Sequence, residues 1–450
     1  LFTYLSHRLS FLKIVYIFLG LFLGYYLLFG MLLYPFTEYV CLTKLAEGLQ
    51  NHLPSGFKGF CVCLKYWHIS LFYICCEIWV TIILYILFWG FVNERVPFEI
   101  AGRWYPLLNF SGNFGSTLAG ATGMWISKWS GDLGRSFGLS DDITMVSFAT
   151  GICACSGLAM LPLYRHAYHS MPVIDPSKTN QSPPKQEDER VEIPFREALR
   201  TVVANRYVLF LLILVLAYNF IFNLTDVIWN QQVKDYFTGN ISQMNHFMSM
   251  ITLLKGVFSI GLALVAHLLI RHLGWRFAAL ITPMIILLTS IAFFPFVLLS
   301  YDDSWNALKG FFGIEQILLV VIWSGGLQNA LARATKYSIY DSVREMAYVP
   351  MPHEARRKAK AILDGIGGRF GKAIGSIVFL ILLQVHGSLQ NSLASITVIA
   401  IFGTVFWVYA ILRLSKLMEQ EYVITERTSH ETPFQNGEEL NSSLASKASF

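Results

Sequence analysis

The sequence predicts an all-α polytopic membrane protein, and three observations carry that reading. Of the 450 residues, 54% are hydrophobic and only 14% charged, whereas soluble domains carry about 25% charged residues. The apolar residues gather into runs of about 20, the length a helix needs to cross ~30 Å of hydrocarbon at ~1.5 Å per residue. The short alternating segments of a membrane β-barrel are missing, so helices must satisfy the backbone in lipid. An aromatic content of 15% argues against disorder, and a net charge of +5 without long basic runs argues against a nucleic-acid partner.

Ten spans follow in order along the chain. The first covers Ile14–Tyr34, and the second, Trp67–Val92, carries Glu77 about a third of the way in. The third, Trp104–Ser127, holds Asn109, Asn113 and a small-residue stripe at Gly112, Ser116 and Gly120. That spacing suits helix packing, and the two Asn can face a cavity as hydrogen-bonding groups. The fourth span is Ile143–Tyr164.

A charged, Pro-broken linker at 165–206 then divides the chain, and its end, Pro194 to Val203, has the apolar spacing of an interfacial helix. Six spans follow: Tyr207–Trp229 with Asp226, Met244–Ile270 with Lys255, Phe277–Ser300, Gly310–Ala332, Ile362–Val385 and Ser395–Leu412. Residues 417–450, rich in Glu, Ser, Thr and Asn, read as a disordered tail. The expected organisation is therefore a first helical half over 1–164, the linker, a six-helix half over 207–416 and the tail.

Sorting the 34 Lys and Arg between alternate connections puts 24 on one side, seven on the other and three inside spans. By the positive-inside rule both termini are cytoplasmic, and a miscounted span would have mixed the two sets. Position 1 is Leu rather than Met, and no secretory signal peptide is evident. Four spans before the linker against six after it set the expectation that two spans are missing from the front, because many transporters are built from two equal halves. The seven Cys read as small buried hydrophobes, with a disulfide among Cys41, Cys61 and Cys63 as the other reading. Cys61, Cys63 and His68 are too sparse for a metal site.

Ionisable side chains at membrane depth cost a few kcal/mol or more, so each needs a partner, a wet cavity or a route to the interface. Glu77 reads either as a structural pair with a neighbouring helix or as a functional acid. Asp226 reads either as a solvated helix end or as part of a site. Lys255 is too deep to snorkel easily. Arg369 and Lys372, three residues apart, share one helix face amid five glycines at 365, 367, 368, 371 and 375. Those glycines serve either tight helix packing or close approach of a ligand. Their spacing is wrong for a nucleotide-hydrolysing phosphate loop, and Ala373 stands where Ser or Thr is needed. A surplus of embedded cations over acids suits an anionic solute, since fixed cations replace the water shell of phosphate or carboxylate groups. The loops offer no nucleophile–base pair, so no enzyme, catalytic residue, metal or cofactor is expected.

The segments Lys336-Tyr337-Ser338-Ile339-Tyr340-Asp341, Arg344 to Pro350, Lys358-Ala359-Lys360-Ala361 and Gly371-Lys372 resemble the bacterial and plastid-type ADP/ATP translocases of obligate intracellular bacteria and plastids. So do Leu53 to Phe57, Phe88 to Glu94 and Phe195 to Leu199, and the resemblance reaches to about residue 415. It implies a twelve-span, two-half fold like the major facilitator superfamily, monomeric, in a cell's inner (plasma) membrane. It also implies exchange of ATP for ADP, with phosphate or other nucleoside triphosphates as further substrates.

On that reading Glu77, Asp226 and Lys372 match the family's embedded charges, and a further family lysine would precede Leu1. Lys255, Lys336, Arg369 and Lys372 would hold phosphates by alternating access, Asn109 and Asn113 would line the site, and Trp79 or Trp229 would flank the base. The chain departs from the family pattern at Asp226, where Glu is common, and at Asn230 and Arg344, where Lys is common. Those departures leave a proton-coupled nucleoside triphosphate importer as an alternative. A transport-inactive membrane protein lacking its first two spans is another.

Overall fold

The computed structural model describes residues 9–53, 57–95, 98–171, 205–301, 310–311, 313–351, 359, 363 and 367–447. These contain no strand, and among them nine helices are long and apolar enough to cross a membrane. Each of the nine overlaps one of the ten expected spans. The remaining one, Trp104–Ser127, lies within a continuous helix, Phe98–Phe137, whose Gly, Ser and Asn content makes it less apolar than the others. The expected interfacial helix before the fifth span falls outside the described residues.

The long helices are α1 (Phe11–Leu28), α2 (Trp67–Trp79), α3 (Phe98–Phe137), α4 (Asp141–Ser170), α5 (Arg206–Tyr236), α6 (Ile241–Tyr301), α7 (Ile314–Thr335), α8 (Gly368–His386) and α9 (Leu389–Lys447). Wide π-helical turns extend α1 over Phe29–Leu33, α2 over Val80–Phe88 and α7 over Lys336–Tyr340. Helix α6 holds two spans, Ile241–Ala266 and Leu268–Tyr301. The helix kinks at Gly274, near the start of the second, where φ 76° and ψ 169° demand a residue without Cβ. The polar segment expected as a disordered tail continues α9 as helix to Lys447. Its Glu, Gln, Leu and Ala residues are compatible with helix, so composition alone did not end the element. All seven Cys, including Cys41, Cys61 and Cys63, are free thiols.

The chain divides into two compact units, one of residues 1–187 with 239–250 and one of 188–238 with 251–450. In the first, α1 buries Ile14, Phe18 and Phe22, and Val15 and Leu19, against Ile83, Leu87 and Tyr164. The four-residue spacing puts these side chains on one helix face. Arg95 closes the end of α4. Its guanidinium lies 4.5 Å from the Tyr168 ring centroid and donates to the carbonyls of Tyr168, at 3.0 Å, and Met171. These are carbonyls that a helix end leaves without intrahelical partners.

In the second unit α5 is the central element, packing on α7, α8 and α9. Leu211, Leu214, Val215, Tyr218 and Ile221 are buried there with Ile339, Tyr340, Val343, Trp407 and Ile411. Buried aromatic polar tips find backbone carbonyls: Tyr340 donates to Leu214 at 3.0 Å and Trp275 to Val343 at 2.9 Å.

Helix α8 meets α5 through a glycine stripe. A Cβ added at Gly367 would lie 2.9 Å from Val215 Cγ1. One at Gly371 would lie 2.8 Å from both the Leu216 carbonyl oxygen and Asn219 Cβ, and one at Gly375 2.9 Å from Asn223 Oδ1. The contact positions climb both helices together, so α8 runs parallel to α5 with the backbones close, as small residues at four-residue spacing allow. The glycines therefore serve helix packing. On α8 itself Ile377, Leu380, Ile381 and Val385 are exposed, as suits a face turned to lipid.

Gly371→Val is expected to destabilise the protein by about 1–3 kcal/mol, because both helices must separate to admit the side chain. Gly112→Ala, where a Cβ meets nothing within 4 Å, should cost nothing comparable. Thermal unfolding of the two variants in detergent checks the pair, and equal melting temperatures would contradict the packing assignment.

Candidate functional site

Tyr218, Phe222 and Asp226 recur at four-residue intervals and so share one face of α5. Asn329 and Arg333, also four apart, present a matching face on α7. Between them, the Asn329 amide donates to Asp226 Oδ1, and an Arg333 terminal nitrogen stands 3.7 Å from Asp226 Oδ2. The Arg333 guanidinium also lies 4.9 Å from the Phe222 ring centroid, a favourable setting for a cation. From α6, Lys255 interacts electrostatically with both Arg333 and Asp226, and from α8, Lys372 does so with Asp226. The Asp226–Arg333 pair thus has two further cations within electrostatic range, neither in salt-bridge contact with Asp226. Asp226 is not at a helix end, because α5 continues to Tyr236, so the solvated-terminus reading fails.

A second polar cluster follows along the same strip. Lys336 Nζ is 3.6 Å from Asp341 Oδ2, and Asp341 Oδ1 is 3.5 Å from Arg344. Lys336 also stands 4.5 Å from the Tyr337 ring centroid and 5.9 Å from that of Tyr218. Tyr218 and Phe222 stack with centroids 5.8 Å apart at 8°. The two clusters are therefore joined by aromatic rings, each ring carrying a cation at its face.

Of the residues expected from sequence, Asp226, Lys255 and Lys372 come together, and Lys336 lies in the adjoining cluster. Arg369 is exposed on α8 and makes no ion pair among the described residues. Glu77 and Asn113 belong to the first unit. Glu77 is exposed without an ion pair among the described residues, and Asn113 is half-buried. Asn109 lies on α3, but its side chain is outside the described set.

Neither tryptophan is free to flank a base. Trp229 is 3% exposed, and its indole N–H donates to the Ile322 carbonyl at 2.9 Å. Trp79 is held by Phe22, edge-on at 5.5 Å, and by Tyr26 at 5.7 Å. Both rings are taken up by helix packing.

Sequence reasoning missed Arg333 and Asn329. It ended the eighth span at Ala332 and sorted Arg333 with the loop cations. The signal that could have found them is the four-residue spacing of two polar residues at the end of an apolar run.

The chain is a polytopic helical membrane protein with an ion-paired carboxylate and further cations within its spans, the kind of embedded charge that marks solute pathways through membranes. Residues 1–418 match the TLC ATP/ADP transporter family, and the chain belongs to that family. It is 32% identical over 412 residues to "ADP,ATP carrier protein 2" of Chlamydia pneumoniae, covering 90% of this chain and 76% of that protein. It is 28% identical over 433 residues to "ADP,ATP carrier protein 3" of Rickettsia bellii, covering 92% and 83%. With the chloroplastic "ADP,ATP carrier protein 1" of Arabidopsis thaliana the identity is 30% over 410 residues, covering 91% of this chain and 64% of the relative.

Trp229→Phe removes a buried hydrogen bond to the Ile322 carbonyl, which keeps its own helical bond, and shrinks a buried side chain, so it should cost about 1–3 kcal/mol of stability. Chemical or thermal unfolding of the variant checks this. Unchanged stability would mean that the indole is not committed to packing.

Proposed function

We propose that this protein exchanges ATP for ADP across the membrane by alternating access. The observation that carries the reading is the cation-rich cluster around Asp226 in a chain of the TLC ATP/ADP transporter family. Three cations against one carboxylate leave the empty cluster positive, which favours a polyphosphate over a neutral solute. The printed names of the relatives, ADP,ATP carrier proteins, support the choice of nucleotide.

Within this reading Lys255, Lys372, Lys336 and Arg369 hold phosphoryl groups, and Glu77 and Asp226 act as resident counter-charges. Asn109 and Asn113 serve as hydrogen-bonding groups toward the nucleotide. The protein acts as a monomer in the inner (plasma) membrane, and the sorting of its basic residues supports cytoplasmic placement of both termini. The substrate drives the cycle by binding the occluded state better than either open one.

The test is uptake of labelled ATP into proteoliposomes. Uptake is expected to require ADP inside and to survive a protonophore, and uptake that needs a proton gradient but no internal nucleotide would overturn exchange. Lys372→Ala should lower the apparent affinity for ATP by about tenfold or more, since a charged hydrogen bond contributes about 1.5–3 kcal/mol. Wild-type uptake by that variant would remove Lys372 from the site.

A further inference from the structure

Arg333 is neutralised without being satisfied. Its contact with Asp226 is 3.7 Å long, well beyond the ~2.8 Å of a charge-assisted hydrogen bond. The hydrogen bond that Asp226 Oδ1 does accept comes from Asn329 instead. Arg333 Nε is buried without a hydrogen-bond partner among the described residues. A guanidinium has five N–H donors in a rigid fork, and here one face of that fork rests 4.9 Å from the Phe222 ring while most of its donors are unspent. The side chain is still 35% exposed, so a ligand can reach it.

A purely structural partner for Asp226 would not look like this. Lys372 also brings charge to the carboxylate, so Asp226 does not depend on Arg333 alone. An arginine meant only to pair with it would close to a two-point contact. The ring and the carboxylate instead hold the guanidinium in place and leave its hydrogen-bonding edge available.

We infer that Arg333 contacts the phosphate chain of the substrate and discriminates by phosphate number, with Asp226 and Phe222 holding its guanidinium ready. The inference rests on the nucleotide-exchange reading and adds to it a residue and a basis for specificity. Lys255 and Lys372 act as point charges, whereas the Arg333 fork makes two parallel bonds to one phosphoryl group. A diphosphate or triphosphate can engage the fork and the lysines at once. A monophosphate must forgo one or the other.

Competition against labelled ATP uptake tests this, with unlabelled ATP, ADP and AMP as competitors. Arg333→Gln is expected to weaken competition by ATP and ADP about tenfold or more and to change that by AMP much less. Arg333→Lys, which keeps the charge and loses the fork, should fall between Gln and wild type. The double variant Asp226→Asn with Arg333→Gln should remain defective. A uniform loss for all three competitors, or recovery in the double variant, would reduce Arg333 to a structural partner of Asp226 and overturn the inference.

Thermal shift of the purified protein with inorganic pyrophosphate separates the two readings. Wild-type protein that carries no nucleotide overturns exchange alone. A pyrophosphate shift retained in full by Arg333→Gln overturns the role of Arg333 whatever the transport result.

Discussion

A carboxylate within apolar helices must be matched by charge or hydrogen bonds, and in the second unit much of the architecture is arranged around one such group. Asp226 takes an amide hydrogen bond from α7, the charge of Arg333 from the same helix, and the fields of Lys255 from α6 and Lys372 from α8. Four helices are tied by this single acid. Removing any one of the cations would still leave the carboxylate matched, whereas removing Asp226 would leave three like charges in an apolar setting, where embedding even one is costly. The dependence is therefore asymmetric, with the acid as its centre.

That arrangement relies on how closely the helices can approach. The stripe Gly367, Gly371 and Gly375 lets α8 lie against α5, so close that a Cβ added at Gly371 would collide with the Leu216 carbonyl oxygen. Lys372 directly follows the tightest of these positions. Bulkier residues in the stripe would hold α8 away and carry the Lys372 charge with it. Packing by small residues and binding by charge are thus one design, which is why the glycines and the cations alternate in the same short segment. The rings of Tyr218 and Phe222 add a third element, giving Arg333 and Lys336 apolar faces to rest on while their charges stay available.

The fold was legible because lipid imposes a simple rule: apolar runs of sufficient length become helices, and nine of the ten expected spans overlap such helices, the largest shift being the end of the eighth, which runs on from Ala332 to Met346. Asp226, Lys255 and Lys372 were legible for the opposite reason, since a charge in an apolar run is conspicuous. Arg333 was not. It sits where an apolar run fades, and a cation at such a place looks like a loop residue. Only the continuation of α7 through Thr335 and the π-helical turn Lys336–Tyr340 keeps it within the helical segment. Trp229 failed in another way. The expectation places it against the nucleotide base, but the indole turns to Ile322 on α7 instead. Composition records which groups are present near a site, and the helical face on which each falls decides whether it takes part.

The length of the acid matters as much as its charge. A glutamate at position 226 would extend the carboxylate by about an ångström, enough to bring a contact now at 3.7 Å into the range of a charge-assisted hydrogen bond. Arg333 would then be held by a bond that a phosphate must first break. Aspartate stops short of that: it lowers the cost of placing a guanidinium among apolar helices and leaves the fork unclosed. With Asn329 donating to Oδ1, the carboxylate has a second partner that holds it in its present orientation. The geometry thus separates two tasks that a tighter ion pair would merge, neutralising the arginine in the empty protein and leaving its hydrogen bonds for a ligand.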